Sequence, residues 1–260
     1  MDTDNKQFID PNFVPEEFQV PYDIIELPSQ GLLYKNKQKK IKIEYLTAMD
    51  ENILSSPNIS AGKNILDILL NRKIKDLGFD PQELLAGDRL AILIYLRVTG
   101  FGEKLTQMVF DTEKNKLVEG EIDLSTLEQK NLTVKPDKDG LFDYELPSDK
   151  TKVKFKLLTT KDEKYIEERD QMLQERSGED ISFIPTLRLE QSIKSLGGVT
   201  DPLKIAHSIG KLKIMDIRKL NKYVSDIEPG IEMKTTARIP GGGSVDTFLR
   251  FTSSFFWPEL

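Results

Sequence analysis

The tightest constraint on this chain is that it spells one pattern twice. Residues 22 to 54 begin Tyr22-Asp-Ile-Ile-Glu-Leu-Pro-Ser29, continue through Lys40-Ile-Lys-Ile-Glu-Tyr-Leu-Thr47 and reach Asp50-Glu51. Residues 142 to 167 begin Phe142-Asp-Tyr-Glu-Leu-Pro-Ser148, continue through Lys152-Val-Lys-Phe-Lys-Leu-Leu-Thr159 and reach Asp162-Glu163. In each, an alternating pattern runs directly into a helix start. Val153, Phe155 and Leu157 alternate with lysines, as a strand with one buried face requires. Thr160 with Glu163 fits a capping box that opens the helix, and Thr47 with Asp50 is its weaker counterpart.

The echo continues. Lys73-Ile-Lys-Asp-Leu-Gly78 matches Ser192-Ile-Lys-Ser-Leu-Gly197, each read as a helix end stopped by glycine. A long helix then follows in each half, from about Gln82 to Val98 and from about Met215 to Asp226. Both stop at glycines, Gly100 and Gly102 in one and Gly230 in the other. Hairpins come next: Thr106 to Phe110 and Leu117 to Leu124 around Lys114-Asn115-Lys116, then Ile231 to Ile239 and Val245 to Phe251 around Pro240-Gly-Gly-Gly243. The expected fold is α+β, with two tandem lobes read as a duplication, each a strand, several helices and a β-hairpin. The expected boundaries are 1–21 for an extended N-terminal arm, 22–135 for the first lobe and 136–260 for the second, with the join near residues 129 to 141. The period is too long for a solenoid, and two copies are too few.

Charge narrows the partners. With 37 basic against 43 acidic residues the formal charge is -6, whereas nucleic-acid binders carry a clustered basic excess. The one basic run, Lys35, Lys37, Lys39, Lys40 and Lys42, reads as solvated lysines in a turn that enters a strand. Without cysteine there are no disulfides, thiolate zinc ligands or thiol nucleophiles. Residues 1 to 19 hold no apolar core of a secretory leader, and Leu90 to Leu96 is too short to span a bilayer. No nucleic-acid or membrane partner is expected.

Catalytic chemistry finds little support. His207 is the sole histidine, within the helical pattern Pro202 to Ile209, and reads as a packing or surface residue. Pro240-Gly-Gly-Gly-Ser244 lacks the lysine and following helix of a phosphate loop, and Gly62-Lys63 lacks its earlier glycine. Glu167, Glu168, Asp170, Glu179 and Asp180 surround Arg169 and Arg176 at helical spacing, which makes ion pairs. Asp111, Glu113 and Asp123 flank the first hairpin turn without the spacing of a calcium loop. The expectation is a non-enzyme with no catalytic residues, cofactor, metal or small-molecule substrate.

Two aromatic stretches point to protein partners instead. The C-terminal run Phe251-Thr-Ser-Ser-Phe255-Phe256-Trp257-Pro258 places large rings where chains are usually polar. They either fold back onto the second lobe or anchor a partner, since aromatic side chains dominate interface hot spots. Near the N-terminus, Phe13 and Phe18 lie in a segment whose prolines forbid a regular helix, the pattern of an extended arm that docks. The candidate partner-binding residues are Phe255, Phe256, Trp257, Pro258, Phe13 and Phe18.

These stretches also carry a resemblance. Glu26-Leu-Pro-Ser-Gln-Gly31 with Tyr34, Leu46-Thr-Ala-Met-Asp-Glu51, Glu83-Leu-Leu-Ala-Gly-Asp-Arg89, Leu96-Arg97 and Gly100-Phe-Gly102 together resemble the baseplate hub assembly proteins of T-even-type myophages. The ending Phe255-Phe256-Trp257-Pro258 is similar in style. The likeness covers most of residues 22 to 130 and, more faintly, the second half. It implies a tail baseplate hub protein, structural component or assembly factor, whose partners are other phage tail or baseplate proteins. The implied location is the virion's tail baseplate, or the host cytoplasm during assembly. Where some family members carry cysteine pairs at the hairpins, this chain has Asp111-Thr-Glu-Lys114 and Arg238-Ile-Pro-Gly241, so no metal role carries over. The competing reading is a bivalent adaptor or regulatory protein that binds a host factor through its two lobes.

Overall fold

Ile41 and Ile43, alternating with lysines, form the buried stripe of the first sheet. In the computed structural model, which describes residues 20–54, 65–178, 181–251 and 255–256, strand β1 (Tyr22–Glu26) runs antiparallel to β2 (Lys40–Glu44) with Ile25 opposite Ile41. Helices α1 (Ala48–Leu54) and α2 (Ile65–Lys73) follow, and the chain passes straight from α2 into β3 (Ile74–Lys75), giving the order β1-β2-β3. A 3-10 turn at Pro81–Glu83 leads to the long helix α3 (Ala86–Phe101) and the hairpin β4 (Lys104–Asp111) and β5 (Lys116–Asp123), with β6 (Gln129–Lys130) after it.

As far as its third strand, the second half runs through the same kinds of element in the same order as the described elements of the first. Strands β7 (Phe142–Glu145) and β8 (Lys152–Phe155) precede α4 (Thr160–Ser177), α5 (Ile184–Ser192) and β9 (Ile193–Leu196), and the sheet order is β7-β8-β9, again antiparallel. Helices α6 (Pro202–Ile209) and α7 (Ile214–Ile227) lead to β10 (Gly230–Ile231) and the hairpin β11 (Lys234–Ile239) and β12 (Gly243–Phe248). The fold is mixed α+β, as expected.

Polar anchors correspond as well. The Ser29 amide donates to Asp88 (2.9 Å) and the Ser148 amide to Asp216 (3.1 Å), the two aspartates being buried in the first turns of α3 and α7. Thr47 donates from both its amide and its hydroxyl to Asp50, and Thr159 does the same to Asp162.

Three local expectations are corrected. The capping box is Thr159 with Asp162, one residue earlier than Thr160 with Glu163, because Thr160 is drawn into a contact between the halves. Its amide donates to the Leu84 carbonyl (2.8 Å) while the Ala86 amide donates to the Leu158 carbonyl (3.0 Å), so Leu85 bridges Thr159. That bridge holds Leu85 extended and delays the long helix from Gln82 to Ala86. The segments from Lys73 and Ser192 do not end helices at their glycines; they supply the third strand of each sheet, since Ile74, Ile193 and Leu196 are buried there.

The halves are joined by more than the bridge. The two hairpins form one four-stranded sheet, β12-β11-β5-β4, through Arg238 opposite Glu121. Its outer edges are tied by Gln107 of β4, which donates to the Phe248 carbonyl (2.9 Å) and accepts from the Arg250 amide (3.2 Å). Gln129–Lys130, at the expected join, pairs with Gly230–Ile231. Gly87 lies so close to Pro229 that a Cβ would fall 1.8 Å from the Pro229 carbonyl oxygen. Buried residues from Leu27 to Phe256 make one contiguous cluster drawn from both halves, with a small satellite of Leu158, Ile166 and Leu187.

Candidate partner-binding surface

Alternation along the first hairpin decides which side chains reach solvent. Leu105 and Val109 of β4 turn inward and are buried, which turns Thr106, Met108 and Phe110 outward. The register places Phe110 opposite Leu117 and Met108 opposite Glu119, so these four share the outer face. Met108, Phe110 and Leu117 are 50%, 51% and 62% exposed, an apolar group at the turn end of the hairpin. Through Arg238 opposite Glu121 and Lys234 opposite Phe248, the exposed ring of Phe248 lies on the same face of the sheet. Lys104 and Glu121 flank the apolar group with an ion pair of 3.0 Å.

On the inner face the two hairpins pack closely together. Gly120 is buried where a Cβ would meet Val109 at 2.7 Å and Ala237 at 2.9 Å, so the missing side chain lets the two hairpins approach. The turn is fixed by Asp111, which accepts from the amides of Glu113 (3.0 Å) and Lys114 (3.1 Å), with the Lys114 ammonium at 3.2 Å. The Lys114 amide, foremost among these donors, holds the Asp111 carboxyl below the usual range. Asp123 accepts from the Ser125 amide and hydroxyl and caps the turn after β5. The hairpin carboxylates thus shape two turns.

Of the six residues picked from sequence, Phe255 and Phe256 are only 1% and 2% exposed, so their reading as partner anchors is corrected: they are core. Phe255 stacks near Phe251 at 4.1 Å and meets Phe256 edge-on at 5.1 Å. The buried Arg97 guanidinium fixes this tail, donating from Nε to the Phe255 carbonyl (2.6 Å), and to the carbonyls of Gly102 (2.8 Å) and Lys104 (3.0 Å). Burial also lowers the Arg97 pKa. Trp257, Pro258, Phe13 and Phe18 lie outside the described residues, as do Gly62, Lys63, Glu179 and Asp180.

The remaining sequence candidates have structural surroundings. His207 is exposed in α6 with Nε2 at 2.8 Å from the Lys211 ammonium. Asp170 is buried and accepts from the Phe183 amide (2.5 Å) and the Gln174 side chain (2.9 Å), which ties α4 to the start of α5. In the lysine run, Lys39 pairs with Glu26 (3.1 Å) and Lys42 lies 3.6 Å from the Tyr22 ring centroid. Pro240 to Gly243 is the turn of the second hairpin, with Gly241 and Gly242 at φ 104 and 95.

Sequence reasoning missed the Met108, Phe110 and Leu117 face. Its signal was present: Met108-Val-Phe110 and Leu117-Val118 are apolar at consecutive positions, hence on both faces of a hairpin that buries one.

Among the described residues no three histidine, aspartate or glutamate side chains converge as a metal site, and no helix is long and apolar enough to cross a membrane. Comparison with protein-family models, with curated proteins and with solved structures gave no match.

Proposed function

We propose that this chain is a non-enzymatic baseplate hub protein of a phage contractile tail, a structural component or assembly factor that acts by binding other tail or baseplate proteins. The resemblance of residues 22 to 130 to the hub assembly family supplies the biological setting. The observation that carries the binding role is the exposed Met108, Phe110 and Leu117 on one sheet face. Contiguous exposed apolar patches rimmed by polar residues mark interaction sites, and aromatic side chains are enriched among interface hot spots. The sheet beneath is fixed on its far side by both halves, so a partner would meet a preorganised face. Phe13, Phe18, Trp257 and Pro258 remain candidate contacts on the sequence argument alone.

The duplication belongs to the same proposal. It is supported by the element order shared as far as the third strand of each half, by the two sheets of like order and by the paired anchors Ser29–Asp88 and Ser148–Asp216. The same correspondence is what favours the second reading, a bivalent adaptor for a host factor. Quantitative peptide mass spectrometry on purified particles separates the two. A fixed small copy number per particle is the expected result for a structural hub component, in the virion's tail baseplate. Absence from both particles and tail-assembly intermediates, with abundance in the host cytoplasm, would favour the adaptor.

A further inference from the structure

A cleft of ≈ 610 Å³ opens where the two halves meet, with Tyr34, Lys35 and Leu85 on one side and Lys156, Leu157 and Lys194 on the other. The Leu85–Thr159 bridge forms part of its wall, so both halves build it together. The cleft is within the range of small-ligand sites, which are mostly apolar with a few convergent polar groups.

Its charge is what sets it apart. Lys194 is half-buried on β9, and among the described residues its ammonium has no hydrogen bond and no ion pair. A lysine removed from water normally gains a counter-charge, because desolvation disfavours the unpaired ammonium. Burial first, and then repulsion by Lys156, lower the pKa of Lys194. Asp162 opposes that shift through its charge, but its carboxylate oxygens are hydrogen-bonded to other groups. It accepts from Lys156 (2.5 Å), the Thr159 amide (2.9 Å), the Thr159 hydroxyl (3.0 Å) and the Gln191 side chain (2.6 Å). Lys35 likewise has no ion pair among the described residues. Of the two acids along the cleft, Glu83 has the Lys161 ammonium at 3.9 Å, and Asp139 is exposed. The surplus is positive, and it sits beside apolar walls that include Phe79, stacked on Tyr34 at 4.5 Å.

We propose that this inter-half cleft binds an oxyanion, carboxylate or phosphate, carried on a small apolar body, with Lys194 as its principal contact and Lys156 and Lys35 beside it. The ligand supplies the direct ion pair that Lys194 lacks among the described residues, and its apolar part covers Leu157 and Phe79. This site is independent of the hairpin face and of the hub proposal.

The test is an NMR titration of the full-length, ¹⁵N-labelled chain with benzoate and with inorganic phosphate, at ionic strength held constant with chloride. Saturable shifts at the amides of Lys35, Lys156 and Lys194 are expected from at least one anion, and the tighter of the two identifies the ligand chemistry. In Lys194→Gln the affinity should fall by about tenfold or more, equivalent to losing one charge-assisted contact. Lys35→Gln should weaken it less, and Lys222→Gln on exposed α7 should leave it unchanged. An unliganded spectrum of Lys194→Gln that overlays the parent establishes that the variant folds. The proposal is overturned if neither anion gives a saturable shift, or if Lys194→Gln binds as tightly as the parent.

Discussion

Asp88 receives the backbone amide of Ser29 from 59 residues away, at 2.9 Å, and fastens the loop after β1 to the first turn of α3. The same carboxylate accepts from the buried Tyr34 hydroxyl at 2.5 Å, which in turn accepts from the Leu85 amide at 3.0 Å. One side chain therefore orders the loop, the tyrosine and the start of the long helix. Burial raises its pKa in spite of those donors.

Asp88→Ala should cost about 3 kcal/mol, because it strands two buried donors at once. Asp216→Ala removes only the contact to the Ser148 amide and should cost about 1 kcal/mol. Urea unfolding of the two variants checks the order; equal losses would mean the two anchors do not differ in this way.

Gly87→Ala should destabilise by about 1–3 kcal/mol, since the new methyl overlaps the Pro229 carbonyl and must push α3 away from β10. Thermal melts of Gly87→Ala beside the parent read this directly. A neutral result would show that the contact between helix start and strand is loose.

Phe255→Ala should cost about 3–5 kcal/mol, the range for a large ring removed from a core. Phe110→Ser on the exposed hairpin face should stay within about 0.5 kcal/mol. Denaturant midpoints of the pair separate core aromatic from surface aromatic; comparable losses would contradict the assignment.

Acid stability should carry the signature of Asp137. Its carboxylate accepts from Lys154 (2.8 Å) and from the amides of Leu141 and Asp139 (both 2.9 Å), and Lys154 foremost lowers its pKa from 3.8 to about 2. The folded pKa is depressed, so the stability it supplies is complete above the unfolded value and is lost as pH falls from there toward about 2. Asp137→Asn should flatten the pH dependence in that window, read as urea midpoints between pH ~5 and ~2.5. An unchanged slope would remove Asp137 from the acid response.

Much of this architecture was legible because its signals are local. The alternation at Lys40–Glu44 and Lys152–Phe155 depends only on side-chain period, and α6 begins at Pro202 after a capping Asp201. Both hairpin turns announce themselves in sequence, Asn115 with φ 51 in one and Gly241-Gly242 in the other. What was not legible depends on contacts between distant segments. Gln82 to Leu85 has helical composition, yet Leu85 is held extended by Thr159, a partner 74 positions further along. Ile74 and Ile193 fit a helix end as well as a strand, and pairing with β2 and β8 decides it. The aromatic tail left two outcomes open, and Arg97, a residue in the middle of α3, selects the buried one by binding the Phe255 carbonyl. The hairpin face was missed because a patch is a property of the register, which places Phe110 beside Leu117.

The most direct test of partner binding is co-sedimentation of the purified chain with baseplate hub assemblies that lack it, comparing the parent with a Met108→Ser, Phe110→Ser, Leu117→Ser triple variant. The account predicts that the parent binds and that the triple variant, with an unchanged unfolding midpoint, loses binding. A folded triple variant that binds as well as the parent would contradict the assignment of this face as the docking surface.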